Sequence, residues 1–109
     1  MAIKLTLLKS GELLISDAKE LAPTEDALEP YAYLLNHPHA VLTGPKESDD
    51  GQIDVMFRPW ILISKDTQVV VPTDWVVTVV EPIDSIKKMY EERSKSFQEP
   101  TFEVKKNGN

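Results

Sequence analysis

Residues 69–80 read VVVPTDWVVTVV, and this stretch decides the fold class. Valine and tryptophan favour strands, while Pro72, Thr73 and Asp74 form a short turn between the two apolar flanks. Flanks this continuous in apolarity are typical of strands covered on both faces. Because a small chain can cover only one face of such a sheet, we expect the other face to meet another subunit.

The segments before this stretch also favour strands. Residues 2–17 alternate apolar and polar side chains around a turn at residues 9–12, which predicts a β-hairpin. Residues 31–44 predict a long bent strand with Pro38 at a bulge or an edge. Residues 53–64, IDVMFRPWILIS, predict a further strand.

Other segments predict loops and one helix. Residues 19–30 and 45–52 are rich in turn formers and charge, so we expect surface loops there. After Pro82 the apolar period changes to about 3.6 residues, which predicts an amphipathic helix over residues 83–97 with Asp84 as its N-cap. We expect residues 98–109 to be a flexible polar tail.

Length and composition suit a single soluble domain over residues 1–97. The chain has 109 residues, 41% of them hydrophobic and none of them cysteine, which excludes disulfides, thiolate metal sites and cysteine nucleophiles. No apolar run approaches the ~20 residues of a membrane span, and no signal peptide is recognisable. The net charge of −6 lies in residues 1–54, which hold 10 acids and 4 bases, so nucleic acid would have to bind at a local patch.

The hairpin LLKSGELLIS resembles the first motif of Sm-like proteins, and VVVPTDWVVTVV resembles the second. More closely, residues 2–97 are similar to small Sm-like proteins of cyanophages. The segments that carry this similarity are RPWILISKDTQVVVPTDWVVTVVEP and IDSIKKMYEE. The resemblance implies a mostly β fold, a small, strongly bent, five-stranded antiparallel open barrel with a C-terminal α-helix. It also implies a homo-oligomeric ring of roughly five to seven copies, closed through edge strands.

Three residues form the first candidate nucleic-acid site. Arg58 lies two positions before Trp60, and Lys65 follows in the next turn, so an indole could stack on a base while the cations neutralise phosphate. The alternative is that Trp60 packs in the core or at a subunit boundary, with Arg58 paired to an acid.

The bend over residues 36–39 is the second candidate. Asn36, His37 and His39 could line a polar pore or contact nucleic acid by their place in the bend. Two histidines do not make a metal site, so a structural or exposed pair is the alternative and no metal is expected.

These observations favour a binding protein over an enzyme. No nucleophile elbow or phosphate-cradling glycine loop is present, so we expect no catalytic residue and no cofactor. The first hypothesis is a ring that binds single-stranded RNA, or DNA, and affects its processing or stability during phage infection, in the cytoplasm of the bacterial host. The second hypothesis is a structural or adaptor ring that binds proteins without nucleic acid. The net negative charge of the chain favours this second hypothesis.

Overall fold

The structure is a computed structural model that describes residues 1–44 and 53–97. It is mostly β, with six antiparallel strands in one open sheet and one C-terminal helix. The strands are β1 (Ile3–Leu8), β2 (Leu13–Leu21), β3 (Ala32–Thr43), β4 (Val55–Pro59), β5 (Gln68–Pro72) and β6 (Val76–Val80). A 3-10 turn, Thr73–Trp75, joins β5 to β6, and the helix α1 is Asp84–Ser94.

The long strand β3 organises the sheet, whose strand order is β4-β3-β2-β1-β6. Strand β5 pairs with the first half of β3, from Ala32 to Asn36, and β4 pairs with the second half, from His39 to Thr43. Strands β4 and β5 therefore lie end to end along one edge of β3. The chain between them, residues 60–67, leaves the sheet, and we call this segment the excursion.

A β-bulge interrupts β3 at the point where the excursion leaves. Ile15 pairs with His39 while Asp17 pairs with Asn36, so two residues of β3, His37 and Pro38, lie opposite one residue of β2. His37 has a positive φ of 50°, which few non-glycine residues adopt. Of the two places predicted for Pro38, a bulge or an edge, the structure has the bulge, and the extra residue explains the bend of the strand.

Apolar residues cover both faces of the sheet. Successive residues of a strand point to opposite faces, and the neighbours Leu14 and Ile15 belong to different core clusters. The first cluster consists of Leu8, Leu14, Leu35, Ala40 and Val71, with Trp60 among the half-buried residues packed against it. The second consists of Ile3, Ile15, Phe57 and Tyr90, with Ile86 and Phe97 packed against it. Helix α1 thus covers the face that carries the second cluster.

The β-hairpin prediction is confirmed, with β1 and β2 antiparallel around Gly11, whose φ is 92°. Several details differ from prediction. The sheet has six strands where the resemblance implies five, and the strand expected over residues 53–64 ends at Pro59 because residues 61–63 form a turn. The helix spans 84–94, and its N-cap is Ile83, without a side-chain capping bond. The loop predicted over 19–30 begins only after Leu21, because residues 19–21 continue β2 and pair with β3. The loop predicted over 45–52 and the tail over 98–109 lie outside the described residues.

Candidate nucleic-acid interface

The excursion is tied to the bulge at both of its ends. The backbone N–H of Trp60 donates to the carbonyl of Pro38 at 3.0 Å, and the N–H of His37 donates to the carbonyl of Thr67 at 2.6 Å. Two candidate regions that are distant in sequence, the 36–39 bend and residues 58–65, therefore meet at one place on the sheet edge.

Hydrogen bonds within the excursion define its shape. The N–H of Ser64 donates to the carbonyl of Ile61 at 3.0 Å, and the N–H of Asp66 donates to Oγ of Ser64 at 3.1 Å. These bonds fold residues 61–66 into consecutive turns. They leave the side chain of Lys65 exposed to solvent.

Trp60 has both an apolar and a polar contact. Its half-buried ring packs against the first core cluster, as the packing alternative predicts. Its indole N–H donates to Oε2 of Glu12 at 3.0 Å, and Oγ of Ser10 donates to the other carboxylate oxygen at 2.9 Å. Trp60 therefore joins the β1–β2 turn to the excursion, with a carboxylate at its polar edge.

Arg58 lies in β4 opposite Ala40, and its side chain is exposed. Within the two described ranges, no carboxylate lies within salt-bridge distance of it. An exposed guanidinium of this kind is suited to a phosphate or carboxylate of a ligand.

Asn36 is held by the sheet on both of its amide atoms. Its Nδ2 donates to the carbonyl of Asp17 at 3.2 Å, and its Oδ1 accepts from Nε2 of Gln68 at 2.8 Å. These bonds cross from β2 to β5 beside the bulge. Asn36 thereby fixes the bend rather than projecting freely from it.

The two histidines of the bend form an aromatic stack with Phe97. The ring of Phe97 lies 4.4 Å from His37 and 5.0 Å from His39 between centroids, with interplanar angles of 23° and 16°. His39 is buried, and its Nδ1 lies 2.7 Å from the carbonyl of His37. Burial lowers the pKa of His39, the hydrogen bond to that carbonyl opposes the shift, and the charges of Arg93 and His37 lower it further.

Tyr90 anchors the helix to the same bend. Its hydroxyl group contacts the carbonyls of Asn36 and His37, each at 3.1 Å, and can donate its proton to either. Burial raises the pKa of Tyr90 to about 12, so the hydroxyl remains protonated. The apolar stripe of the predicted helix contains both Tyr90 and Phe97, but the stripe alone does not reveal that they meet the histidines.

A separate open cleft of about 460 Å³ lies near the β1–β6 end of the sheet. Among its lining residues, Lys4 donates to Oε1 of Glu81 at 3.0 Å, and this hydrogen bond lowers the pKa of Glu81. None of the predicted site residues lines this cleft.

Comparison with models of known protein families and with curated proteins gives no match. Over residues 1–44 and 53–97, no helix is long and apolar enough to cross a membrane. In those same ranges, no three side chains of the metal-binding types converge, and His37 and His39 have no third ligand beside them.

Proposed function

We propose that the protein is an Sm-like, ring-forming protein that binds single-stranded RNA, or single-stranded DNA, during phage infection. The proposal extends the resemblance of the two motifs, and its place of action would be the cytoplasm of the infected bacterium. The observation that carries the assembly is a pair of apolar strand edges without charged residues, and the exposed Arg58 and Lys65 with the half-buried Trp60 support nucleic-acid binding.

Strands β5 and β6 are these edges. Neither QVVVP nor VVTVV contains a charged residue, and each pairs on one side only, β5 with β3 and β6 with β1, among the described strands. Val70 and Val77 expose 55% and 59% of their surface. Proteins usually protect exposed edges with charges, prolines, bulges or covering segments. Here Pro72 ends β5 and a register shift leaves Val77 as an extra residue in β6, but neither edge carries a charge. Pairing of β6 with β5 of the next copy would satisfy both edges and form a head-to-tail assembly.

In this assembly each copy would contribute one set of contacts. Arg58 and Lys65 supply exposed positive charge, and the uncovered part of the Trp60 ring supplies a stacking surface. A single set of this size binds weakly. Repetition around a ring raises the effective concentration of each site for one strand, so the sets add on a single nucleic acid.

The bend residues have a second role in the proposal. Asn36 is hydrogen-bonded on both amide atoms, and His39 is buried against Phe97, so these residues keep the excursion in place. His37 is half-buried at the junction. Of the three bend residues, it is the one that we expect to contact nucleic acid.

A ring that binds a protein partner is the second candidate. The carboxylate of Glu12 at the indole of Trp60 adds a negative charge beside the stacking surface, and the net charge of the chain is −6. Both features oppose phosphate binding and favour a partner that carries positive charge.

Titration of labelled single-stranded oligonucleotides at several salt concentrations separates the two candidates. We expect RNA binding that weakens as salt rises, and a further loss of affinity in Arg58→Ala. Lys88→Ala, which removes one positive charge from the exposed face of α1, is the matched control and should bind like the wild type. An assembled ring that binds no RNA or DNA at low salt would overturn nucleic-acid binding and support the protein-binding ring.

A further inference from the structure

The excursion carries an apolar tip that the nucleic-acid site does not use. Ile61, Leu62 and Ile63 are consecutive and exposed, and Ile63 exposes 80% of its surface. The N–H of Ser64 donates to the carbonyl of Ile61 and closes this tip as a turn. Exposed apolar residues that lie together in this way are typical of an interaction surface.

We propose that this tip packs against the start of helix α1 of the adjacent copy, around Ile83, and thereby fixes the register of the ring. The inference rests on the proposed assembly through β5 and β6. It adds a contact that lies outside the strand pairing itself.

The direction of the strands locates the contact. Every pairing in the sheet is antiparallel, so we take an added β6 to run antiparallel to β5 as well. Its last residue, Val80, then lies beside the first residue of β5, Gln68, where the excursion ends. The chain of the added copy continues from Val80 to Ile83, which exposes 70% of its surface.

The lengths of β5 and β6 agree with a pairing that ends where Val80 meets Gln68. Strands β5 and β6 have five residues each, and the excursion interrupts the edge immediately before β5. A copy that slipped further along the edge in this direction would collide with the excursion. The excursion therefore sets one limit on the register, which a uniform run of valines does not specify by itself.

The charges near the two surfaces are complementary. Lys65 is exposed two residues after Ile63, and Asp84 is exposed one residue after Ile83, in the first turn of α1. An apolar contact flanked by this pair has a matching surface on the same chain, at the place to which the strand direction brings it. A second copy is therefore the occupant that we infer. In the assembled ring Lys65 then serves this contact, and Arg58 remains the cation for phosphate.

Cross-linking tests the contact, and the absence of cysteine from the chain removes any background. In the double variant Ile63→Cys/Ile83→Cys, a short bismaleimide should link successive copies into a ladder of covalent multimers on a denaturing gel. Each single variant has one thiol per chain and can form nothing larger than a dimer. The control, Ile63→Cys/Leu28→Cys, uses a side chain that is 99% exposed in the loop between β2 and β3 and should give no ladder.

The size of the uncross-linked assembly separates this inference from the proposed ring. If the wild type is a ring but the double variant gives no more ladder than the control, the contact is wrong and the ring proposal stands. If the wild type is a monomer, both are wrong. Ile63→Asp should raise the protein concentration needed for assembly at least tenfold. An unchanged concentration would also contradict the contact.

Discussion

The phenyl ring of Phe97 stacks on the imidazole of His37, with ring centroids 4.4 Å apart. His37 is the residue of the bulge with a positive φ, and Phe97 follows the end of helix α1. The contact therefore joins the chain after the helix to the bulge of β3. Since the excursion hydrogen-bonds to the same bulge, we expect changes at the helix to affect the candidate site as well.

Removal of the Tyr90 hydroxyl should weaken this junction. Tyr90→Phe keeps the buried ring but leaves the carbonyls of Asn36 and His37 without that donor, so we expect a loss of about 1 kcal/mol in the free energy of unfolding. Urea denaturation measures the change. Tyr31→Phe, at an exposed tyrosine, is the control and should change stability by less than about 0.5 kcal/mol. Equal effects of the two substitutions would contradict the anchoring role.

The stability of the protein should fall as the pH falls below 6.5, the ordinary pKa of histidine. Burial lowers the folded-state pKa of His39 from 6.5, so the unfolded chain takes up a proton more readily than the folded protein. The stabilisation that comes from folding with His39 neutral is complete above pH 6.5. It is lost as the pH falls through the folded-state pKa of His39. Urea midpoints from about pH 7.5 to about pH 5.5 should decline in the wild type and decline less in His39→Gln. An identical decline in both proteins would show that His39 is not the cause.

A buried hydroxyl offers a test of the sheet interior. Thr6 is fully buried, and its Oγ1 has no hydrogen-bond partner among the described residues. Thr6→Val replaces the hydroxyl with a methyl group of similar shape, so we expect a gain of about 1 kcal/mol in stability by urea denaturation. Thr6→Ser keeps the hydroxyl and loses the methyl group, and it should destabilise the protein. Destabilisation by Thr6→Val would indicate that the hydroxyl does have a partner.

Neutralisation of Glu12 should strengthen nucleic-acid binding. Glu12→Gln keeps an acceptor for the indole N–H of Trp60 and removes the negative charge, so we expect affinity for single-stranded RNA to rise about threefold at low salt. The gain should shrink as salt is added. Glu92→Gln, on the exposed face of α1, is the control for net charge. A decrease in affinity would contradict the proposal that the RNA lies beside Trp60.

The sequence predicts much of the sheet because its signals are local. The alternation of residues 2–17 and the valines of residues 69–80 each specify strands without reference to the rest of the chain. The bulge is also predictable, because a proline inside a strand pattern has few other places to lie. These segments account for five of the six strands.

The excursion is not predictable in the same way. Residues 60–63 are apolar and favour a strand by composition, but they lie beside the bulge of β3, where Trp60 bonds to Pro38 and the edge is interrupted. Tertiary context overrides the local preference there. The contacts of Phe97 and Tyr90 with the histidines are likewise long-range, so an apolar stripe indicates only that these residues are buried.

The molar mass of the protein in solution tests the central claim most directly. Light scattering of the wild type at micromolar concentration should give a closed assembly of roughly five to seven copies of the 12.3 kDa chain. Val77→Lys places a charge on the exposed edge of β6 and should give a monomer, whereas Val77→Thr keeps the branched shape and should assemble. A wild-type mass of one chain at these concentrations would contradict the account.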